Sequence, residues 1–251
     1  MRPYQFLSLL FICLLIACNK DDNNNGVSRK LDFTTSSKAT GYQTYTYNTA
    51  GQLIEYERSE SKASIADNGS ELHFIFYNKD ESRVAIDGVY TLNADGNIIS
   101  GVVANAFSLN NPYTSNFTFE YDNNGYMIKR TEVRSTGNTI TSDLVWTNGD
   151  LTSIIWKDNG NLYYTEVMEY DNGSPDKLGI NDYLFNMPLN DFIGKLSKHL
   201  QKGSYSLVAP STTPAYVYTY QYDLNSDGYP SVLTLDTSDS NYHEVITYHY
   251  Q

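Results

Sequence analysis

A short turn unit recurs along the chain and constrains its fold more than any other feature. Each copy has Asp or Asn, two or so polar residues and Gly, with aromatic or aliphatic residues on both sides. Asp or Asn can accept hydrogen bonds from the amides of the turn, and Gly adopts a positive φ without a Cβ clash. Such turns join antiparallel strands into hairpins, often with a bulge. The clearest copies are Asn48–Gly51, Asn93–Gly96 and Asp122–Gly125, with variants that end at Gly149, Gly160 and Gly173.

The segments between the turns alternate aromatic and polar residues, which is typical of strands with one buried face. The longest example is Tyr216–Tyr222, in which four tyrosines share one parity. Phe117–Tyr121, Tyr45–Tyr47 and Ile246–Tyr250 repeat the pattern. The 23 Tyr and 10 Phe of the chain suit a pleated, half-buried surface.

The spacing of the turn glycines is irregular, which excludes a solenoid of fixed period. A long meander of hairpins must curl, because open sheets of more than ~10 strands rarely stay flat. The sequence therefore predicts a mainly β fold, a long antiparallel hairpin meander curled into an open or barrel-like sheet. We expect residues 31–251 to form this single antiparallel β domain.

One region departs from the hairpin pattern. Residues 174–215 contain four of the seven prolines and no complete turn unit. Asn190 can act as an N-cap and Gly203 can end a helix, so we predict one short helix at about 190–201. We expect its apolar face to plug an open end or face of the sheet, with a mobile lid as the alternative. The residues at helical spacing are Leu189, Phe192, Ile193, Leu196 and Leu200.

The first residues predict export and lipidation. Arg2 precedes an apolar run at residues 6–17, which is shorter than the ~20 residues that span a bilayer and typical of a signal peptide. Leu15-Ile16-Ala17-Cys18 resembles the lipobox of bacterial lipoproteins. We therefore predict a signal peptide at 1–17 and a covalent diacylglycerol lipid on Cys18, with an ordinary signal peptide and a chance cysteine as the alternative. The only other cysteine, Cys13, lies in the predicted signal peptide.

Residues 18–30 are polar after Cys18 and predict a flexible tether. The acidic pair Asp21-Asp22 resembles the surface-export signal of Bacteroides-type lipoproteins. The predicted location is therefore the outer membrane, lipid-anchored and facing the cell exterior, and the periplasmic face is the alternative.

The charge of the chain bears on its partners. Without residues 1–17 there remain 16 basic and 29 acidic residues, a net charge of −13. This charge repels nucleic acid and anionic lipid, so we expect no nucleic-acid partner and membrane contact through the lipid anchor.

Three features together resemble a known family. They are the lipobox at Cys18, the turn at Tyr121–Gly125, and the segment from Tyr222-Asp223 to Gly228-Tyr229-Pro230. Over most of residues 40–251 the chain resembles an uncharacterised family of Bacteroides-type putative lipoproteins with a porin-like fold. The resemblance implies a curled or barrel-like sheet and no activity. The turns also resemble the tyrosine–aspartate repeats of bacterial toxin shells.

A membrane-spanning barrel is the other form that such strands can take. It requires strands of ~9–11 residues with an apolar outward face. The alternating positions here carry Tyr, Thr, Asn and Glu, so we do not expect a pore.

The strongest local ligand motif is Asp223-Leu-Asn225-Ser-Asp227-Gly228. It matches the first six positions of a calcium loop. However, Thr234 stands where a bidentate Glu is needed and Pro230 interrupts the loop. A hairpin turn is therefore the favoured interpretation, with calcium as a weak alternative and no other cofactor expected.

The tyrosines Tyr216, Tyr218, Tyr220 and Tyr222 are the second candidate site. Aromatic rings on a sheet face can stack on sugar rings, and they can equally form the core of a thin curled sheet. Solvent exposure of these residues distinguishes the two interpretations.

Catalysis finds little support. His243 and His249 share a face of the last strand but lie ~20 Å apart at ~3.3 Å per residue, and no nucleophile, phosphate or zinc motif occurs. We therefore expect no enzyme. The sequence favours a surface binding module for glycan or protein, and the alternative is an envelope scaffold without a small ligand.

Overall fold

The structure is a computed structural model and describes residues 30–37, 42–58, 60–79, 83–105, 112–177, 189–238 and 242–251. The predicted signal peptide, Cys18 and the tether as far as residue 29 lie outside the described residues.

Antiparallel strands make up almost all of the regular structure in these ranges. They are β1 (Leu31–Ser36), β2 (Tyr42–Tyr47), β3 (Leu53–Glu57), β4 (Ser61–Asp67), β5 (Glu71–Asn78), β6 (Arg83–Leu92), β7 (Ile98–Asn105), β8 (Tyr113–Tyr121), β9 (Met127–Arg134), β10 (Thr139–Thr147), β11 (Asp150–Asp158), β12 (Asn161–Pro175), β13 (His199–Val208), β14 (Tyr216–Leu224), β15 (Pro230–Thr237) and β16 (His243–Tyr250). Each strand pairs with its neighbours in sequence, and β1 pairs with β16. The predicted meander is confirmed, and it closes into a barrel.

The Asp122 turn shows how the turn unit works. Asp122 Oδ1 accepts hydrogen bonds from the amides of Asn124 and Tyr126, both at 2.9 Å. The amide of Gly125, whose φ is +85°, donates to the carbonyl of Asp122. Asn48, Asn93 and Asn225 likewise accept the amide four residues further on. All four turns lie at one end of the barrel, because each joins an even-numbered strand to the next odd-numbered one.

The strands that leave this end carry an extra residue close to the turn. The register between paired strands skips one residue in β3, β7, β9, β11 and β15. Such bulges increase the local twist of a sheet, which helps the strands tilt as barrel closure requires. The skipped residues are Ile54, Ile99, Ile128, Thr152 and Ser231.

The barrel interior is filled unevenly. A continuous apolar core joins the inward side chains of β3–β11 to Met168 of β12. Phe74 and Tyr90 are among its largest side chains, and Phe74 is fully buried. Within the described chain, this core includes no buried residue from β13–β16. The packed half of the barrel is therefore the half formed by β3–β11.

The predicted helix over 190–201 is wrong. The structure has a 3-10 turn at Asn190–Phe192 without a side-chain cap bond, and β13 begins at His199. Gly203, the predicted end of the helix, lies within β13 and pairs with Thr219. The apolar residues at helical spacing are buried, but as an irregular wedge and not as a helix. From His199 onwards the backbone forms strand hydrogen bonds within β13 in place of helical ones.

Residues 189–198, the plug segment, close the turn-rich end of the barrel. Leu189, Phe192 and Ile193 are at most 2% exposed and join the apolar core. Hydrogen bonds tie the segment to the barrel, among them Leu53 N to Asp191 Oδ2, Lys195 N to the Gly125 carbonyl, Lys198 N to the Gly149 carbonyl, and Leu151 N to Ser197 Oγ. The plug segment thus closes an end of the barrel, which is the role that was expected of the helix.

The outer face of the barrel carries charged side chains together with exposed apolar ones such as Val89, Val102 and Val133. Ion pairs join side chains on this face, with N–O distances from 2.5 to 3.4 Å. They are Lys62–Glu55, His73–Asp87, Lys79–Glu57, Lys129–Glu120, Lys157–Asp143 and His243–Asp236. No helix in the described part of the chain is long and apolar enough to cross a membrane.

Candidate functional site: a tyrosine-lined cavity in the barrel

The half of the barrel opposite the packed core encloses a cavity of about 600 Å³. Strands β12–β16 form its walls, and Ser197 of the plug segment belongs to its lining. Protein interiors hold few voids larger than a water molecule, so packing alone does not explain a space of this size. Its lining residues include Tyr163, Tyr164, Glu166, Tyr170, Tyr218, Tyr220, Tyr222, Leu233, Leu235, Ile246 and Tyr248.

Three of the four tyrosines predicted as an aromatic platform line the cavity. Tyr218, Tyr220 and Tyr222 lie on the inward face of β14 and are half-buried. The hydroxyl of Tyr220 lies 3.4 Å from Ser204 Oγ. The side chain of Tyr216 lies outside the described residues. The tyrosines therefore face neither the outer surface nor the packed core, but an enclosed space between strands.

The opposite wall is more apolar. Leu233 and Leu235 of β15 and Ile246 of β16 line it, with Tyr248 next to them along β16. Leu233 is buried, whereas Leu235 and Ile246 are half-buried. The cavity thus has one face of tyrosines and one face of aliphatic side chains. Such a combination is typical of small-ligand sites, which are mostly apolar with a few polar groups.

Glu166 is an acidic residue that lies in the cavity wall. It lies on β12, opposite Ile154 of β11 and Ser206 of β13. Burial raises the pKa of its carboxyl to about 7. No hydrogen bond or ion pair joins its side chain to another residue in the described ranges. The nearby carboxylate in turn contributes, after burial, to raising the pKa of Tyr164 to about 12.

The floor of the cavity is held by the plug segment. Ser197 Oγ donates to the hydroxyl of Tyr170 at 3.0 Å, and this hydroxyl donates to the carbonyl of Leu151 at 2.9 Å. His199 Nδ1 lies 2.8 Å from Asp150 Oδ2. These contacts tie the floor to the plug segment, and the exposed residues of the cavity lie towards the other end of the barrel, which we call the open end. Tyr163 and Val208, which are 61% and 40% exposed, line the cavity near that end.

The packed half of the barrel contains a second inward acidic residue, Glu132. Its carboxylate accepts bonds from Arg134 Nε at 2.7 Å and Ser115 Oγ at 2.8 Å, and Arg130 Nη2 lies 3.2 Å away. Burial alone would raise its pKa, but the bonds from Arg134 and Ser115 and the charge of Arg130 hold that pKa below its usual range. Glu132 is therefore a fully satisfied buried anion.

Trp156 separates this charged group from the cavity. The guanidinium of Arg130 lies 5.7 Å from the centre of the Trp156 ring, and Tyr164 stacks on that ring at 5.5 Å between centroids. Tyr164 in turn lines the cavity. One continuous row of side chains therefore connects the packed half to the cavity wall.

The predicted calcium residues lie in a tight turn. Asn225 Oδ1 accepts bonds from the amides of Asp227 and Tyr229, both at 3.0 Å, and Asp223 lies on β14, paired with Val232. Lys177 Nζ donates to the carbonyl of Asp227. In the described residues, no group of three or more His, Cys, Asp or Glu side chains is placed to hold a metal ion. The geometry is that of the favoured hairpin turn, and calcium binding stays the weak alternative.

Sequence reasoning missed Glu166 and its neighbours on β12. The signal was present: Tyr164, Glu166, Met168 and Tyr170 alternate at a period of two, as in the strand that carries Tyr218. It was overlooked because β12 lacks an unbroken tyrosine series and because the register that brings β12 beside β13 and β14 depends on the irregular stretch between them.

The comparisons with known proteins agree with this architecture. The family model of a domain of unknown function with porin-like fold (DUF4595) matches residues 45–232. The chain belongs to this family. The match covers β3–β14 and parts of β2 and β15, which is most of the barrel, and it confirms the family resemblance predicted from the lipobox and turns.

Solved structures of porin-like proteins share the fold of this DUF4595 chain. One from Bacteroides uniformis has a TM-score of 0.61 at 15% identity, over 89% of this chain and 96% of that one. One from Bacteroides vulgatus has a TM-score of 0.65 at 11% identity, over 88% and 98%. No curated protein sequence matches the chain. The resemblance of the turns to tyrosine–aspartate repeats is not confirmed.

Proposed function

We propose that this chain is a lipid-anchored cell-envelope binding module, and that its ligand occupies the tyrosine-lined cavity of the barrel. The observation that carries the proposal is the uneven interior: one half is packed to a continuous core, and the other encloses about 600 Å³. The ligand is a small molecule or a projecting group of a larger one, such as a sugar at the end of a glycan or a side chain of a protein.

The lining supports this function. Tyrosine presents an apolar ring and a polar hydroxyl. Tyr218, Tyr220 and Tyr222 therefore offer both stacking faces and polar contacts to a ligand that lies along β14. Leu235 and Ile246 offer an aliphatic surface on the other side. A sugar ring, with apolar faces and hydroxyls at its edge, suits these walls.

The position of the N-terminus supports exposure of the cavity. Lys30 lies at the plugged end, where its Nζ is 5.4 Å from the centre of the Tyr47 ring and its carbonyl accepts the amide of Gln251. If Cys18 is lipidated, the tether joins the barrel at its plugged end, and our proposal has this end towards the membrane and the open end away from it. Residues 19–29 would allow a reach of up to about 40 Å at ~3.3–3.6 Å per residue.

The outer face supports anchoring by lipid rather than by the strands. Lipid-facing strands carry an apolar band, and charged side chains there are destabilising. The outward side chains of this barrel include ion pairs such as Lys157–Asp143 and Lys62–Glu55. An envelope location also agrees with the porin-like relatives.

The test is ligand binding to the full-length protein in a polyoxyethylene detergent, with thermal shifts measured against panels of glycans, amines and peptides. Leu235→Trp fills the cavity, whereas Thr234→Trp places the same ring on the outer face of the same strand. We expect Leu235→Trp to abolish the shift and Thr234→Trp to retain it. A ligand that binds both variants equally, or no ligand in any panel, would contradict the proposal, and the second result would favour the scaffold alternative.

A further inference from the structure

We infer that the ligand of the cavity carries a positively charged amine, which Glu166 and the surrounding tyrosine rings bind. This inference rests on the proposed function, because it names the class of ligand for the same cavity. Three features carry it: the carboxylate of Glu166, the aromatic lining, and the composition of the cavity wall.

Glu166 differs from Glu132 in one respect that decides its chemistry. Both are inward acidic residues on barrel strands, but Glu132 accepts bonds from Arg134 and Ser115, and Arg130 lies beside it. Glu166 has no such donor among the described residues. Glu166 is half-buried, and a carboxylate partly removed from water without compensating donors is less stable as an anion, so the cavity lacks a positive group that would stabilise this anion. An ammonium group supplies it.

The packed half of the barrel contains an example of a carboxylate that is stabilised by cations. There the guanidinium of Arg130 lies 4.8 Å from the centre of the Phe117 ring, and that of Arg134 lies 5.1 Å from the Tyr113 ring. Cations over aromatic rings beside Glu132 form a complete arrangement. The cavity likewise contains a carboxylate and aromatic rings, and a bound ligand would supply the cation. Aromatic faces attract ammonium groups for the same electrostatic reason.

The remaining charges that face Glu166 favour a cation. The lining from β12, β13 and the segment between them contains Asp176 and His199 besides Glu166, and His199 lies against Asp150. The lining from β14 and β15 is tyrosine, leucine and proline, and from β16 it is isoleucine and tyrosine. Within the described chain, no lysine or arginine lines the cavity.

Further groups near the cavity do not reverse the negative charge of its lining. Glu244 shares the inward face of β16 nearer the open end, where it bonds to Ser36 and Tyr242. On the β11 side, Ile154 and Trp156 face the region of Glu166, and Arg130 lies beyond Trp156, where it pairs with Glu132. The net charge of the chain, −12, adds a field that draws cations towards the barrel.

The experiment compares choline with 3,3-dimethylbutan-1-ol, its neutral analogue of the same shape, by isothermal titration calorimetry on the full-length protein in a polyoxyethylene detergent. Ethanolamine and spermidine extend the set to primary amines and polyamines. We expect at least one of the amines to bind, and choline to bind at least about tenfold more tightly than its neutral analogue.

Glu166→Gln is the decisive variant, and Glu169→Gln is its control on the outward, exposed face of the same strand. We expect Glu166→Gln to weaken amine binding about tenfold or more and Glu169→Gln to leave it unchanged. Between pH 8 and pH 6 the affinity of the unmodified protein should fall about tenfold as Glu166 becomes protonated, while that of Glu166→Gln stays constant. Melting temperatures verify that both variants fold.

Two outcomes overturn the inference. In the first, choline and its neutral analogue bind equally and Glu166→Gln has no effect. In the second, no amine binds at millimolar concentration. In either case a ligand whose binding is lost in Leu235→Trp and kept in Thr234→Trp would leave the cavity proposal intact. Failure of the inference and failure of the proposed function are therefore separate results.

Discussion

Asp150 accepts three contacts from the start of β13: its Oδ2 lies 2.8 Å from His199 Nδ1, and its Oδ1 accepts the amides of Lys198 and His199 at 2.9 and 3.0 Å. Asp150 is the first residue of β11 and is 4% exposed. One side chain thus holds the end of the plug segment against the barrel and sets the position of the cavity floor.

Asp150→Ala should therefore destabilise the protein. The substitution removes the acceptor of the His199 amide and ring and leaves the Lys198 amide only the Gly149 carbonyl, which costs about 1–3 kcal/mol for each group that stays unsatisfied away from water. Urea denaturation followed by tryptophan fluorescence measures the change in the free energy of unfolding. Asp143→Ala, which breaks the exposed pair with Lys157, is the control and should cost less than about 1 kcal/mol. Equal effects of the two variants would show that the plug does not depend on Asp150.

The ring of Tyr90 covers Gly101, its partner in the neighbouring strand. A Cβ at Gly101 would lie 2.3 Å from Tyr90 Cδ1, and Tyr90 is 2% exposed. Gly101→Ala should destabilise the barrel by about 1–3 kcal/mol, because overpacking displaces a buried ring. Gly173→Ala, whose Cβ would make only an ordinary contact, should be close to neutral.

The pair can be tested as a double-mutant cycle. Tyr90→Leu removes the ring and should cost stability alone, but Gly101→Ala should then have a much smaller effect than in the unmodified protein. Additive free energies of unfolding would mean that the contact between the ring and the glycine is not the cause of the destabilisation.

Glu166 should make the stability of the unliganded protein depend on pH. Its pKa is raised from the ordinary value of 4.5 to about 7 in the folded protein, so the unfolded chain releases this proton first. The stability that the protonated form contributes is complete below about pH 4.5 and is lost as the pH rises to about 7. The limiting slope for one proton is about 1.4 kcal/mol per pH unit.

Glu166→Gln isolates this contribution, since all other groups titrate alike in both proteins. The difference in the free energy of unfolding between variant and parent should grow in favour of the variant from pH 4.5 to pH 7 and then level off. Urea denaturation at intervals of one pH unit measures it. A difference that does not vary with pH would show that Glu166 is hydrated in the cavity.

Lipidation at Cys18 is the prediction on which the orientation of the barrel depends. The parent should incorporate labelled fatty acid and partition into the detergent phase, and Cys18→Ser should do neither, because the thiol accepts the glycerolipid. Cys13→Ser is the control, since Cys13 lies in the predicted signal peptide, and it should behave as the parent. Partition of Cys18→Ser into detergent would remove the argument that the open end faces away from the membrane.

Local chemistry made most of the fold predictable. The turn at Asp122 is specified by one side-chain oxygen and one glycine within five residues, and the same holds at Asn48 and Asn93. Alternation of Tyr218, Tyr220 and Tyr222 likewise specifies a strand with one inward face. The helix prediction failed because the spacing of Leu189, Phe192 and Ile193 suits any apolar wedge, and pairing of β13 with two neighbours outweighed local preference.

The sequence by itself determined the strands, their turns and which residues share a face, since these depend on contacts between residues close together in the chain. Only the tertiary structure decided that Leu31 pairs with Tyr250 and that the sheet closes. Closure turns one face of every strand inward, and the position of the plug segment determines which part of that interior stays open. The cavity around Glu166 is therefore a product of contacts between distant residues, which no local pattern can specify.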